Sequence, residues 1–167
     1  TCLEGAVAAG LPAVGRAAVF DQLHLSGVQV GISQTVPQVG ILDIDQPKAI
    51  IFCQTIKMVD LLEERLLKYN YKVEAIHGDL PQSKRERVIN DLRNDKIDVL
   101  IATDVAARGL DIEDINYVIN YDMPESVDTY IHRIGRTGRA KKEGVSYTFV
   151  SGREVRKLKE LMSYTNS

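Results

Sequence analysis

The stretch His132–Arg133–Ile134–Gly135–Arg136–Thr137–Gly138–Arg139 repeats arginine at every third position, with glycines between. Lys141 and Lys142 follow, so residues 132–142 carry five cations and no acid. Guanidinium is permanently charged and grips phosphate oxygens through a planar fork of donors. Glycine beside it leaves room for a bulky phosphate. The chemistry this suggests is phosphate binding, or stabilisation of charge that develops on a phosphoryl group. The plainer reading is a solvated basic turn at a helix C-terminus, where cations are mildly favourable. The strict spacing and the flanking glycines favour the phosphate.

Further polar groups sit where apolar runs end. Gln54–Thr55 follow the run from Lys48 to Cys53. His77–Gly78–Asp79 follow Tyr71 to Ile76, and Thr103–Asp104 follow Val99 to Ala102. Asp122–Met123–Pro124 follow Tyr117 to Asn120. Each run reads as a short strand, the first being apolar enough to be buried on both faces. Gly144 to Val150 reads as one more. Between them lie helical patterns with Val59, Leu62 and Leu66 inward, then Val88, Ile89 and Leu92 after Pro81. A helix over about Ser126–Ile134 and another over Gly152–Met162, with Val155, Leu158 and Met162 inward, complete the series. Alternating strands and helices predict an α/β fold: a parallel sheet with right-handed crossovers and helices on both faces. In such sheets ligands sit at the carboxyl ends of the strands, where these polar residues fall. Asp104 is expected to cap the short helix after the third strand.

The chain has 167 residues, 44% apolar and 26% charged, with a net charge of −2. That composition excludes wholesale disorder and a collagen-like fibre. No apolar run approaches the roughly 20 residues of a membrane span, and the start lacks the pattern of a signal peptide. The two cysteines, Cys2 and Cys53, do not make a disulfide scaffold. A reducing, cytoplasmic location and no membrane partner are the expectation. With so little net charge, any polyanion must be held by a local patch. Cys53 reads as buried strand filler, and Tyr117 and Tyr121 as core and edge packing.

Residues 1–42 differ from the rest. They carry three charged side chains, Glu4, Arg16 and Asp21, and six of the twelve glycines, but no Lys, Asn or Tyr. Four readings stay open for this segment: a divergent first strand and helix of the same domain, a linker, foreign sequence joined by fusion, or a stretch read in the wrong frame. Leu23 to Ile32 alternates in polarity with a phase slip at Ser26–Gly27, which suits one extended strand with a bulge.

From residue 43 the chain resembles the C-terminal RecA-like domain of the DEAD-box RNA helicases. Ile50–Thr55 (IIFCQT) is similar to motif IV of that family, and His77–Gly78–Asp79 with Gln82, Arg85 and Glu86 to the next motif. Ala102–Asp111 (ATDVAARGLD) resembles motif V, and His132–Arg139 (HRIGRTGR) motif VI, whose leading His is typical of the DEAD-box group. Four ordered motifs over about 90 residues are highly specific. The sequence has no G-x-x-x-x-G-K-[ST] loop and no Asp-Glu-Ala-Asp; in the family these belong to the N-terminal lobe, which also holds Mg²⁺. Residues 1–42 do not match the family's usual lead-in to motif IV.

The resemblance implies residue roles. Arg136 and Arg139 are the arginine fingers that reach ATP held by the other lobe. Asp111 takes the ribose hydroxyls, and Arg108 lies at the nucleotide cleft. His132 couples to the other lobe or packs, and Arg133 is an internal brace. Thr55, Gly78, Gln82, Arg85 and Thr103 hold the RNA sugar–phosphate backbone. The implied cofactor is ATP with Mg²⁺, and the implied partners are RNA and the N-terminal RecA-like lobe. The chain alone is expected to be inactive and monomeric. Plainer roles remain beside these: Thr55 as a helix cap, Asp111 as a cap, Arg108 in an ion pair, Gln82 and Arg85 on a solvated face. Two other functions compete. One is a non-catalytic RNA- or protein-binding module, consistent with the missing phosphate loop. The other is a nicotinamide-dependent enzyme, which lacks a G-x-G-x-x-G after any strand.

Overall fold

The computed structural model describes residues 17–24, 27–33, 48–112, 115–137, 144–151 and 153–165. Five parallel strands form the centre: β3 (Ala49–Cys53), β4 (Val73–Ile76), β5 (Val99–Thr103), β6 (Tyr117–Asn120) and β7 (Gly144–Val150). Two more, β1 (Ala17–His24) and β2 (Gly27–Ser33), pair antiparallel, and β1 adds antiparallel to β7. The order across the sheet is β2-β1-β7-β6-β3-β5-β4. The helices are α1 (Ile56–Lys68), α2 (Gln82–Arg93), α3 (Asp104–Ala107), α4 (Val127–Ile134) and α5 (Val155–Thr165).

Period-two alternation sends the residues of β3 to opposite faces. Ala49, Ile51 and Cys53 pack with Val59, Leu62 and Leu66 of α1. Ile50 and Phe52 pack with Val88, Ile89 and Leu92 of α2 and with Ala106 and Ala107 of α3. Both faces are thus covered, which explains the near-continuous apolar strands. Tyr117 stacks on Tyr147 with ring centroids 5.8 Å apart, and Tyr121 meets Phe149 edge-on at 6.1 Å. Burial, and secondarily Tyr117, push the Tyr147 phenol up to about 12. On the surface of α1 the Lys68 hydrogen bond and charge hold the Glu64 carboxyl below its ordinary value.

Helices α1 and α2 end alike. Asn70 and Asp95 take positive φ (63° and 58°) just beyond each C-cap. The amide of Tyr71 then reaches the Leu66 carbonyl, and that of Lys96 reaches Asp91. These are paired Schellman endings, which satisfy the last carbonyls and turn the chain toward the next strand. At the β4 edge of the sheet, the Ala75 amide donates to Glu63 of α1 at 2.8 Å.

Three readings from the sequence need correction. The alternation over 23–32 belongs to two strands, not one bulged strand; a reversal shifts the phase as a bulge does. The Thr103 hydroxyl, not Asp104, caps α3, accepting from the Ala106 amide. Asp104 is the first residue of that helix and turns elsewhere. In α5, among the described residues, Leu161 is buried with Leu158 packed beside it, whereas Val155 at the first turn is exposed. The inward face therefore runs through 158 and 161. The side chain of Met162 lies outside the described residues.

Candidate functional site

Connections leaving β3 run toward β4, and those leaving β6 run toward β7, so the loops diverge between these neighbours. Such a divergence opens a crevice at the carboxyl ends of the strands. There a cavity of about 250 Å³ is lined by Phe52, Asp104, Ala107, Arg108, Thr129, His132, Arg133 and Arg136.

Arg133 forms its floor and is 2% exposed. Its Nε and Nη2 donate to the two carboxylate oxygens of Asp104, both at 2.7 Å. Its Nη1 donates to Asn120 Oδ1 at 3.1 Å and to the Asp122 carbonyl at 2.9 Å. The guanidinium lies 5.1 Å from the Phe52 ring centroid. Asn120 in turn donates to Thr148 at 3.0 Å, tying β6 to β7. A guanidinium engaged in this way is a structural group, whose donors face the protein.

Arg136, three residues on, is half-buried and donates from Nη1 to the Leu110 carbonyl at 2.9 Å. His132 and Arg108 are exposed on the rim. The turn after α4 is held from both sides. Gly135 caps the helix, and a Cβ there would stand 3.1 Å from the Ile131 carbonyl. The buried Thr137 hydroxyl donates to the carbonyls of Ile115 and Asn116. Arg139 and Gly138, and Lys141 and Lys142, lie outside the described residues.

Asp111 lines a different cavity, of about 310 Å³, with Gln82, Glu86, Ile89, Asn90, Arg93, Gly109 and Leu110. Arg93 Nη2 donates to both the carboxylate (2.7 Å) and the carbonyl (2.6 Å) of Asp111. The preceding Gly109 has φ +76°, a conformation that favours glycine. The structure therefore brings together Arg108, His132, Arg133 and Arg136, and separates Asp111 from them. The Leu110 carbonyl bonded to Arg136 is the link between the two cavities. Arg93 and Thr129 were not found from the sequence. The only signal for Arg93 was a lone cation at the end of α2.

The residues expected at RNA lie along the same strand ends and on α2. Thr55 caps α1, its hydroxyl accepting from the Met58 amide at 3.2 Å. Gly78 is exposed, and a Cβ there would meet nothing within 4 Å. Gln82 donates to Glu86 at 3.0 Å. Among the described residues, Arg85 Nε and His77 Nδ1 are buried with no hydrogen-bond partner. His77 Nε2 lies 3.4 Å from Asp60. Thr103 is buried as the cap of α3.

The cationic rim suits the phosphates of a nucleotide. Among the described residues there is no group of three or more His, Cys, Asp or Glu that could hold a metal ion. No helix among the described residues is long and apolar enough to cross a membrane.

The helicase conserved C-terminal domain family matches residues 33–141. The chain belongs to that family. The ATP-dependent RNA helicase FAL1 of Kluyveromyces lactis is 48% identical over 117 residues, covering 70% of this chain and 29% of that protein. The helicase domain thus spans less than a third of that relative's length. The C-terminal domain of the DEAD-box protein Dbp5 superposes with a TM-score of 0.68 at 39% identity, covering 71% of this chain and 70% of that one. A DEAD box protein from the hyperthermophile Methanococcus jannaschii gives a TM-score of 0.71 at 41% identity, covering 77% of this chain and 35% of that one. This helicase domain is the C-terminal RecA-like lobe of a DEAD-box RNA helicase.

Proposed function

We propose that residues 43–167 work as the second lobe of an ATP-dependent RNA helicase, and that residues 1–42 are a segment of separate character. Arg136 and Arg139 complete, from this lobe, an ATP site whose Mg²⁺ is held by an N-terminal RecA-like lobe. Arg108 lies beside the nucleotide, and Asp111 accepts hydrogen bonds from its ribose. His132 touches the other lobe, while Arg133 braces the cleft. Thr55, Gly78, Gln82, Arg85 and Thr103 hold the RNA backbone, which makes recognition largely independent of sequence. Bound ATP supplies the bond whose hydrolysis separates closed from open lobes. In the closed state the RNA is held in a path that a duplex does not follow, so a short duplex loses one strand.

One observation carries this reading. Arg133 is fully engaged with the protein, whereas Arg136, on a rim of cations, makes a single hydrogen bond among the described residues, to the Leu110 carbonyl. The sequence offers no phosphate loop of its own beside them. Positive charge placed where charge develops on a transferring phosphoryl group is the role of an arginine finger.

The test is RNA-stimulated ATP turnover by this lobe joined to a DEAD-box N-terminal lobe. Arg136→Ala is expected to lower turnover by about 10³–10⁵ while nucleotide binding persists. Unchanged turnover overturns the assignment. A second reading, a non-catalytic RNA- or protein-binding module, is favoured by the missing phosphate loop. ATP turnover by the purified 167 residues counts against it.

A further inference from the structure

We propose that Arg93 is a positioning residue for the nucleotide: from the last turn of α2 it sets the orientation of Asp111 and steadies the loop on which Arg136 rests. This inference rests on the reading of Asp111 as the ribose-binding carboxylate.

One nitrogen, Arg93 Nη2, serves both the main-chain carbonyl and the side-chain carboxylate of Asp111. A carboxylate bonded to the same donor as its own carbonyl does not rotate without losing one of the two bonds. Arg93 takes Oδ2 of a carboxylate that lines the cavity and whose side chain is 76% exposed. An ionised carboxylate has acceptor sites to spare, so the clamp orients the group without using it up. Among the described residues no other side chain bonds to Asp111. Its backbone follows Gly109, the residue with the greatest freedom in this loop.

The clamp also reaches the first cavity. Leu110, between Gly109 and the clamped Asp111, offers its carbonyl to Arg136. Arg93 and Arg136 therefore hold one three-residue loop from opposite cavities. The helix that carries Arg93 begins at Gln82, so its two ends border the proposed RNA and nucleotide contacts. The pair is too exposed to serve stability: the side chains are 49% and 76% exposed. Exposed ion pairs contribute little to folding, which leaves geometry as the use of this one.

The experiment compares ATP with 2′,3′-dideoxy-ATP in the two-lobe enzyme. The parent is expected to favour ATP in KM by about 10–100-fold, the scale of hydrogen bonds to a charged group. Asp111→Ala abolishes that preference. Arg93→Ala shrinks it to about 2–3-fold, and Arg93→Lys restores part of it, since ammonium donates without the planar fork. The parent's preference persisting in Arg93→Ala, or KM rising equally for both nucleotides, overturns the role of Arg93 while that of Asp111 stands. If Asp111→Ala keeps the preference, the ribose assignment fails and this inference falls with it.

Discussion

Two arginine–aspartate pairs, each with a closest nitrogen-to-carboxylate distance of 2.7 Å, sit on either side of one loop. In the Arg133–Asp104 pair the side chains are 2% and 32% exposed; in the Arg93–Asp111 pair they are 49% and 76% exposed. Contact length is the same, so it says nothing about what each pair is worth. Surroundings decide that. Removing one partner of a buried pair strands a charge in low dielectric and is strongly destabilising. Removing one partner of an exposed pair hands the other to water. The first pair builds the cleft, and the second shapes a surface that a ligand can reach.

The largest effect expected from this contrast is that of Asp104→Ala. Among the described residues it leaves the buried Arg133 guanidinium with the neutral acceptors Asn120 and the Asp122 carbonyl. A loss of about 3–5 kcal/mol in urea unfolding is expected. A loss below about 1 kcal/mol would mean that water reaches Arg133 and that burial is not the difference between the pairs.

Arg93→Ala comes next and is the control. Its effect on unfolding should stay within about 1 kcal/mol and shrink further in high salt. A cost as large as that of Asp104→Ala would make exposure irrelevant and the two pairs equivalent.

A further effect, confined to alkaline pH, extends the contrast to an uncharged group. The Tyr147 phenol is pushed from 10.0 up to about 12 in the folded protein, chiefly by burial. Its contribution to stability is complete below pH 10, where both states are protonated. It is lost as pH rises through about 12, because the unfolded chain ionises first. Tyr147→Phe should therefore flatten the fall in stability over that window, as read by urea unfolding at several pH values. An unchanged slope would assign the alkaline loss to other groups.

The central sheet was legible in the sequence because strands covered on both faces leave continuous apolar runs, as Ala49–Cys53 and Val99–Thr103 do. The inward faces of α1 and α2 were legible for the same reason: periodicity records burial. That Arg133 and Arg136 share one cleft follows their spacing in the sequence, while Arg139 lies outside the described residues. The site was not legible where the use depends on a partner far along the chain. Asp104 at a helix start looks like a cap, and only the fold shows Arg133, 29 positions away, taking both its oxygens. Arg93 reads as a solvated cation at a helix end until Asp111, 18 positions on, is brought to it. The slip at Ser26–Gly27 marks a change of phase in the alternation, which does not record that the chain then reverses into an antiparallel strand.

The bond from the Ala75 amide to Glu63 bears on how this protein behaves in a crowded solution. Strand β4 closes one side of the sheet, and an open strand edge is a template on which another chain can extend the ladder. The Glu63 carboxylate occupies an amide that such a chain would use. Glu74 on the same short strand is paired with Arg87 at 2.6 Å, so any approaching backbone would also have to displace charge. At this edge a helix side chain blocks an amide that a second strand would need.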